Sequence, residues 1–297
     1  MKRILKWVAG VLGALVGIIV LAAAVLYFLG GTKFRAHTDV AGHAVPAPTD
    51  SAARAWGAHL VETHGCAGCH AANLEGLVMI DAPPFLVVAP NLTAGAGGVG
   101  AQLDAVGWER AIRHGVGGDG RGLFIMPAEF YTGLSDEDMS AMIAYLESIA
   151  PVDNELPATE MRPLGRILAG IGAFGPTSGL VDHAAQHRPR TPAVAATREY
   201  GRYRGEILCT ACHGPNLEGA PSPDGQGMPG PALAAAAQWT LDEFRTAMRT
   251  GVTPTGRELN AEAMPWQAFG RLTDDEIEAI HLYLEDETAT HNGTSSQ

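Results

Sequence analysis

The chain has 297 residues, a mass of 31.0 kDa and a formal charge of −12, a length that accommodates about two domains. From residue 36 onward it carries 15 arginines against 32 acidic side chains, a local balance of −17. That acidic surface excludes nucleic acid as a partner, because phosphate backbones need a basic footprint. It favours solubility, with steering toward a basic partner protein as a further use.

The first element is apolar. Residues Trp7 to Leu29 carry no charge, and at 1.5 Å per residue this run is about 34 Å long, enough to cross a bilayer. Lys2, Arg3 and Lys6 precede it, which orients the N-terminus toward the cytoplasm and exports the rest. A cleaved signal peptide ending near Ala22–Ala24 is the rival, but the apolar run continues past that point. The expected organisation is a transmembrane signal-anchor over 1–30 and a Gly/Pro/Ala stalk over 31–50.

A helical pattern, "SAARAWGAHLVETH", opens near Ser51 and runs into "CAGCHAANLEG" at 66–76. A second, "TREYGRYRGEIL", runs into "CTACHGPNLEG" at 209–219. The parallel continues: "GWERAIRHGV" matches "LDEFRTAMRTGV", each helix closing on a C-cap glycine, and "LSDEDMSAMIAYLE" matches "LTDDEIEAIHLYLE" at an offset of 138. Ser135/Asp138 and Thr273/Glu276 have capping-box spacing. The chain is read as a duplicated helical module over 51–150 and 196–287, without a convincing strand pattern. A Pro-rich connecting strap over 151–195 joins the copies, and a flexible tail over 288–297 follows. The fold class is therefore all-α.

All four cysteines lie in the two repeated runs. A thioredoxin-like pair needs a strand before it, and a zinc ribbon would separate its pairs by about 15–20 residues. Disulfides within each run leave the repeated histidine unexplained. Covalent c-type haem attachment explains every residue: Cys66 and Cys69, or Cys209 and Cys212, bond the two vinyl groups, and His70 or His213 sits under the ring to ligate iron. Two haems c are expected. No cysteine remains for the opposite face of the iron and no lysine lies beyond residue 33, so methionine or histidine must serve. Met126 and Met264 are each followed by proline and lie eight residues before the leucine that opens the last helix. They are the expected axial ligands, with Met79 and Met228 as weaker competitors. Pro90 and Pro231 occupy matched places after each motif, and their carbonyls are expected to accept the other ring N–H of His70 and His213.

Trp56 and Tyr200 sit at matched positions beside Gly57 and Gly201, as do Tyr145 and Tyr283 on the last helices, which implies helix packing. Arg110, Arg113, Arg245 and Arg249 read as exposed helix-face charges or as neighbours of haem propionates. His114, His183, His187 and His281 have no repeat counterpart and read as surface or core histidines.

With Cys-x-x-Cys-His, the Pro-x-Leu loop, Met-Pro and a closing "LSDED…AYLE" helix, each unit resembles a class I cytochrome c. The whole resembles a membrane-anchored dihaem cytochrome c, and "PNLT" is similar to the cytochrome subunits of membrane-bound alcohol and gluconate dehydrogenases. Those normally carry three haem motifs; this chain has two. The resemblance implies His/Met-ligated haems that pass single electrons between redox partner proteins, on the periplasmic face of the cytoplasmic membrane. It implies no catalytic residues. The alternative is a dihaem enzyme, a peroxidase or a thiosulfate-oxidising cytochrome, which needs an open iron or a cysteine ligand.

Overall fold

The computed structural model describes residues 1–221 and 229–294. It begins with α1 (Lys2–Lys33), most of whose apolar stretch is exposed and which is long and apolar enough to cross a membrane. Its C-terminal end is held. Gly30 and Gly170 allow backbone-to-backbone contact with a second helix, because a Cβ on Gly30 would overlap the Arg166 carbonyl and one on Gly170 the Leu26 carbonyl.

The first unit contains α2 (Ser51–Thr63), α3 (Cys66–His70), β1 (Leu77–Ala82), β2 (Phe85–Ala89), α4 (Ala105–His114), α5 (Ala128–Tyr131) and α6 (Asp136–Leu146). Asp50 caps α2, Asp104 caps α4 and Ser135 caps α6, each side chain accepting a backbone N–H of the first turn. The connector supplies β3 (Glu160–Met161) and α7 (Pro163–Gly170). The second unit repeats the helices as α8 (Arg198–Leu208), α9 (Thr210–His213), α10 (Leu241–Thr250), α11 (Trp266–Phe269) and α12 (Asp274–Thr294).

Three expectations need correction. The chain is not all-α: β1, β2 and β3 form an antiparallel sheet, with Leu77 opposite Ala89 and Phe85 opposite Met161. The run "LVMIDAPPFLVVA" hides its strands because it is apolar at nearly every position, and its turn falls on Pro83–Pro84. Residues 31–50 are not a free stalk. Val45 is buried in the first unit's core, Thr38 N–H donates to the Gly120 carbonyl at 2.9 Å, and His43 N–H donates to Glu109 at 3.0 Å. The backbone of α12 also continues helically to Thr294, through the start of the expected tail at 288.

The two units share packing. Within each, the first and last helices cross at glycine: a Cβ on Gly57 would overlap the Ala141 carbonyl, and one on Gly201 the Ala279 carbonyl. Tyr200, Tyr203 and Ile207 of α8 are buried in the same apolar cluster as Leu60, Trp108, Met139 and Ile143 of the first unit. The polar groups cross over as well. Asp138 accepts from Trp56 Nε1 at 2.7 Å within its own unit and from the Tyr203 hydroxyl at 2.6 Å across the boundary. Glu276 accepts from the Tyr200 hydroxyl at 3.2 Å within its unit and lies 2.7 Å from His59 Nε2 across it. Since 56 matches 200 and 59 matches 203 in the repeat, the boundary is a pseudo-twofold.

Candidate haem sites

Each Cys-x-x-Cys-His run forms a short helical turn that begins where the first helix of its unit ends. Gly65, at φ 71°, makes the break before Cys66. The repeated Asn-Leu-Glu-Gly has a specific geometry. Gly76 N–H returns to the His70 carbonyl and Gly219 N–H to the His213 carbonyl, both at 2.8 Å. Leu74 and Leu217 take left-handed backbone at φ 60° and 58°, a conformation costly for leucine. Both are buried, so the strain is offset by the apolar side chain each places in the core. Leu92 N–H then donates to the Leu74 carbonyl at 2.8 Å, and Leu233 N–H to the Leu217 carbonyl at 2.9 Å. Those bonds draw the Pro-x-Leu loops back over the histidines.

The result is the same contact twice. His70 Nδ1 lies 2.9 Å from the Pro90 carbonyl, and His213 Nδ1 lies 2.7 Å from the Pro231 carbonyl. A carbonyl can only accept, so each Nδ1 carries the proton and each Nε2 keeps its lone pair, the state a metal-ligating imidazole requires. Burial pushes both rings below the ordinary histidine pKa, against the opposing pull of the proline carbonyls. Burial also pushes the Cys66 and Cys209 thiols up to about 12. Such thiols are poor partners for disulfide exchange, which needs thiolate.

The methionines sit in equivalent turns. Ala128 N–H donates to the Met126 carbonyl at 2.8 Å and Trp266 N–H to the Met264 carbonyl at 2.7 Å. Pro127 and Pro265 have nearly the same backbone angles, φ −81° and ψ 61° against φ −74° and ψ 60°. Upstream, Leu123 N–H bonds the Gly115 carbonyl and Leu259 N–H the Gly251 carbonyl, both at 2.7 Å. The loops carrying the two methionines are thus fastened identically to the ends of α4 and α10. Met264 also packs against the second unit's apolar cluster. Met79 lies on β1, and Met228 lies outside the described residues.

The arginines do other work. Arg113 is fully buried, 2.8 Å from Asp136 and 3.3 Å from Glu109, and Arg249 is 2.9 Å from Asp274. Arg113 is therefore not the exposed helix-face charge the sequence implied, whereas Arg249 is exposed on its helix and paired with Asp274.

The donor set therefore fits a c-type haem in each unit: two cysteines on one turn, a histidine with its tautomer fixed, and a methionine in a braced loop. A c-type haem supplies one-electron chemistry at its iron.

Comparison with known proteins agrees. The chain is 34% identical over 211 residues to a subunit of the nicotinate dehydrogenase of Pseudomonas putida, an overlap of 63% of this chain and 17% of that protein. It is 29% identical over 265 residues to the gluconate 2-dehydrogenase cytochrome c subunit of Pantoea cypripedii, covering 77% of this chain and 58% of the relative. Against the fructose dehydrogenase cytochrome subunit of Gluconobacter japonicus the identity is 26% over 298 residues, with 89% and 58% covered. The chain thus spans little more than half the length of the two cytochrome subunits and about a sixth of the nicotinate dehydrogenase protein. The family profile described as cytochrome c matches residues 55–150 and 206–287, one segment in each copy of the repeat. The chain belongs to the cytochrome c family.

Proposed function

We propose that the protein transfers single electrons through two covalently attached haems c, as the cytochrome subunit of a membrane-bound dehydrogenase complex. Cys66, Cys69 and His70 hold one haem with Met126 as the second axial ligand, and Cys209, Cys212 and His213 hold the other with Met264. The Pro90 and Pro231 carbonyls fix the ring orientation of the two histidines. The carrying observation is the doubled His Nδ1–Pro carbonyl bond, 2.9 Å and 2.7 Å, at the same point of two copies of one module. A disulfide role would not require that tautomer at all, and a zinc role would leave the matched Met-Pro turns unexplained.

The partner class comes from the relatives, whose names place them in nicotinate, gluconate and fructose dehydrogenases. In this reading a catalytic subunit supplies electrons and the chain performs no substrate chemistry itself. Helix α1 anchors it in the cytoplasmic membrane, and the haem units lie on the outer, periplasmic face.

Haem staining and a pyridine haemochrome assay test the stoichiometry. Two haems per chain are expected, and one after Cys209→Ser with Cys212→Ser; absence of covalent haem overturns the proposal. Met126→Ala and Met264→Ala should each remove half of the weak far-red band of methionine-ligated ferric haem. Purification from detergent-solubilised membranes should bring down a dehydrogenase catalytic subunit.

A further inference from the structure

The connector meets the first unit at a cluster that the haem reading does not use. Glu109 and His114 project from α4, and His187 comes from the connector after α7. One oxygen or nitrogen atom from each lies within 4.8 Å of the other two. Glu109 and His114 are buried and His187 is half-buried.

The hydrogen bonds around the cluster set the rings. His187 Nδ1 lies 3.0 Å from the Thr132 carbonyl, so Nδ1 carries the proton and Nε2 the lone pair. His114 Nδ1 lies 3.0 Å from His183 Nδ1, while His114 Nε2 lies 3.5 Å from Glu109 Oε1. Two ring nitrogens at 3.0 Å share one proton. When His114 donates it, His114 Nε2 is left as a lone pair facing the Glu109 carboxylate. His183 is itself tied to the Ser178 backbone. Both rings then offer Nε2, each oriented by an acceptor behind it, as histidines in zinc sites are.

The charge balance is also suitable. Arg113 is a nearby cation, but it is shared with Asp136 at 2.8 Å and with the Leu134 carbonyl at 2.8 Å. Arg113, Glu109 and Asp136 together carry one net negative charge. Glu109 Oε2 is taken by the His43 N–H, which fixes the carboxylate, while Oε1 faces His114 Nε2 and also accepts from Arg113 Nη1 at 3.3 Å, a contact a bound ion would share.

We propose that Glu109, His114 and His187 form a binding site for a divalent zinc-type ion, with His183 as a positioning residue behind His114. Two imidazoles and one carboxylate are a donor set such an ion takes readily, with its fourth position left to water. The site would fasten the connector to the end of α4 and so brace the unit boundary from outside.

The test uses the full-length protein with its haems, stripped with EDTA and titrated with Zn2+ alone by calorimetry, with metal content measured after dialysis. One zinc per chain is expected in addition to haem iron, with thermal stabilisation on binding. His187→Ala should weaken zinc binding about tenfold or more and abolish the stabilisation, while the visible haem spectrum stays unchanged. His183→Ala should weaken binding less. Because His114 is buried and its replacement can perturb the fold, the decisive comparison is the half-buried His187. No zinc uptake by the wild type, or equal affinity in His187→Ala, overturns the site.

Discussion

The His59 ring of the first unit lies 2.7 Å from the Glu276 carboxylate of the second. Burial alone would push Glu276 up. The His59 hydrogen bond and the Arg204 guanidinium at 3.3 Å outweigh that and bring it down to about 2. A folded-state pKa below the ordinary 4.5 means that the unfolded chain binds the proton more tightly. The contribution to stability is complete above about pH 4.5 and fades as pH falls toward 2, a total on the order of 3 kcal/mol. Denaturant melts between about pH 2 and 6 should show this slope, and Glu276→Gln should flatten it. An unchanged slope in that variant would remove Glu276 as the cause.

The same boundary predicts the behaviour of Tyr203. Its hydroxyl donates to Asp138 at 2.6 Å in a buried setting, where a bond to a charged acceptor contributes about 1.5–3 kcal/mol. Tyr203→Phe should lose about that much by equilibrium unfolding. Asp138→Asn should do so too, and the double variant should cost less than the sum, since both remove one contact.

At the two helix crossings, Gly57→Ala and Gly201→Ala each force a methyl against a carbonyl of the facing helix, at Ala141 and Ala279. Each should destabilise by about 1–3 kcal/mol or more, because backbone on both sides cannot yield cheaply. Exposed Gly172, where a Cβ meets nothing, has φ 84°, so Gly179 is the better control: Gly179→Ala should leave the melt unchanged.

The junction of α1 and α7 can be probed by hydrogen exchange. Gly170→Leu should separate the helices and raise amide exchange over residues 163–172, with the haem spectrum intact. Equal protection in the variant would show that the contact is not what orders α7.

Much of the site was legible because the chain states it twice. A single Cys-x-x-Cys-His leaves several chemistries open; the matched Met-Pro and Pro-x-Leu narrowed them. The histidine-to-proline bonds occur at the residues the repeat singled out. Where the copies diverge, the pattern loses its force. Thr273 and Glu276 form the reciprocal cap their spacing implies, at 2.8 Å and 3.2 Å. In the first unit Asp138 is one methylene shorter and spends its carboxylate on Trp56 and Tyr203, while Ser135 N–H turns to the Tyr203 hydroxyl at 3.1 Å. The strands were lost in an unbroken apolar run. His114, His183 and His187 meet only in space, with no periodicity to link α4 to the connector.

The exit of α1 is held at three further points. Lys33 Nζ donates to the Ala169 carbonyl at 2.8 Å, Arg166 donates to the Tyr27 hydroxyl at 2.9 Å, and Phe34 stacks edge-on with Phe124 at 5.2 Å, two residues before Met126. A carrier on a loose leash sweeps a volume and finds its donor by collision. Here α1 and the methionine loop of the first unit are bolted to one another. Under the proposed function, tilting α1 in the membrane would turn the first haem unit with it, and the height and heading of that haem above the lipid would be properties of the fold. Electron delivery would then depend on docking geometry at a fixed station, and lengthening the 31–50 segment would misalign it instead of extending its reach.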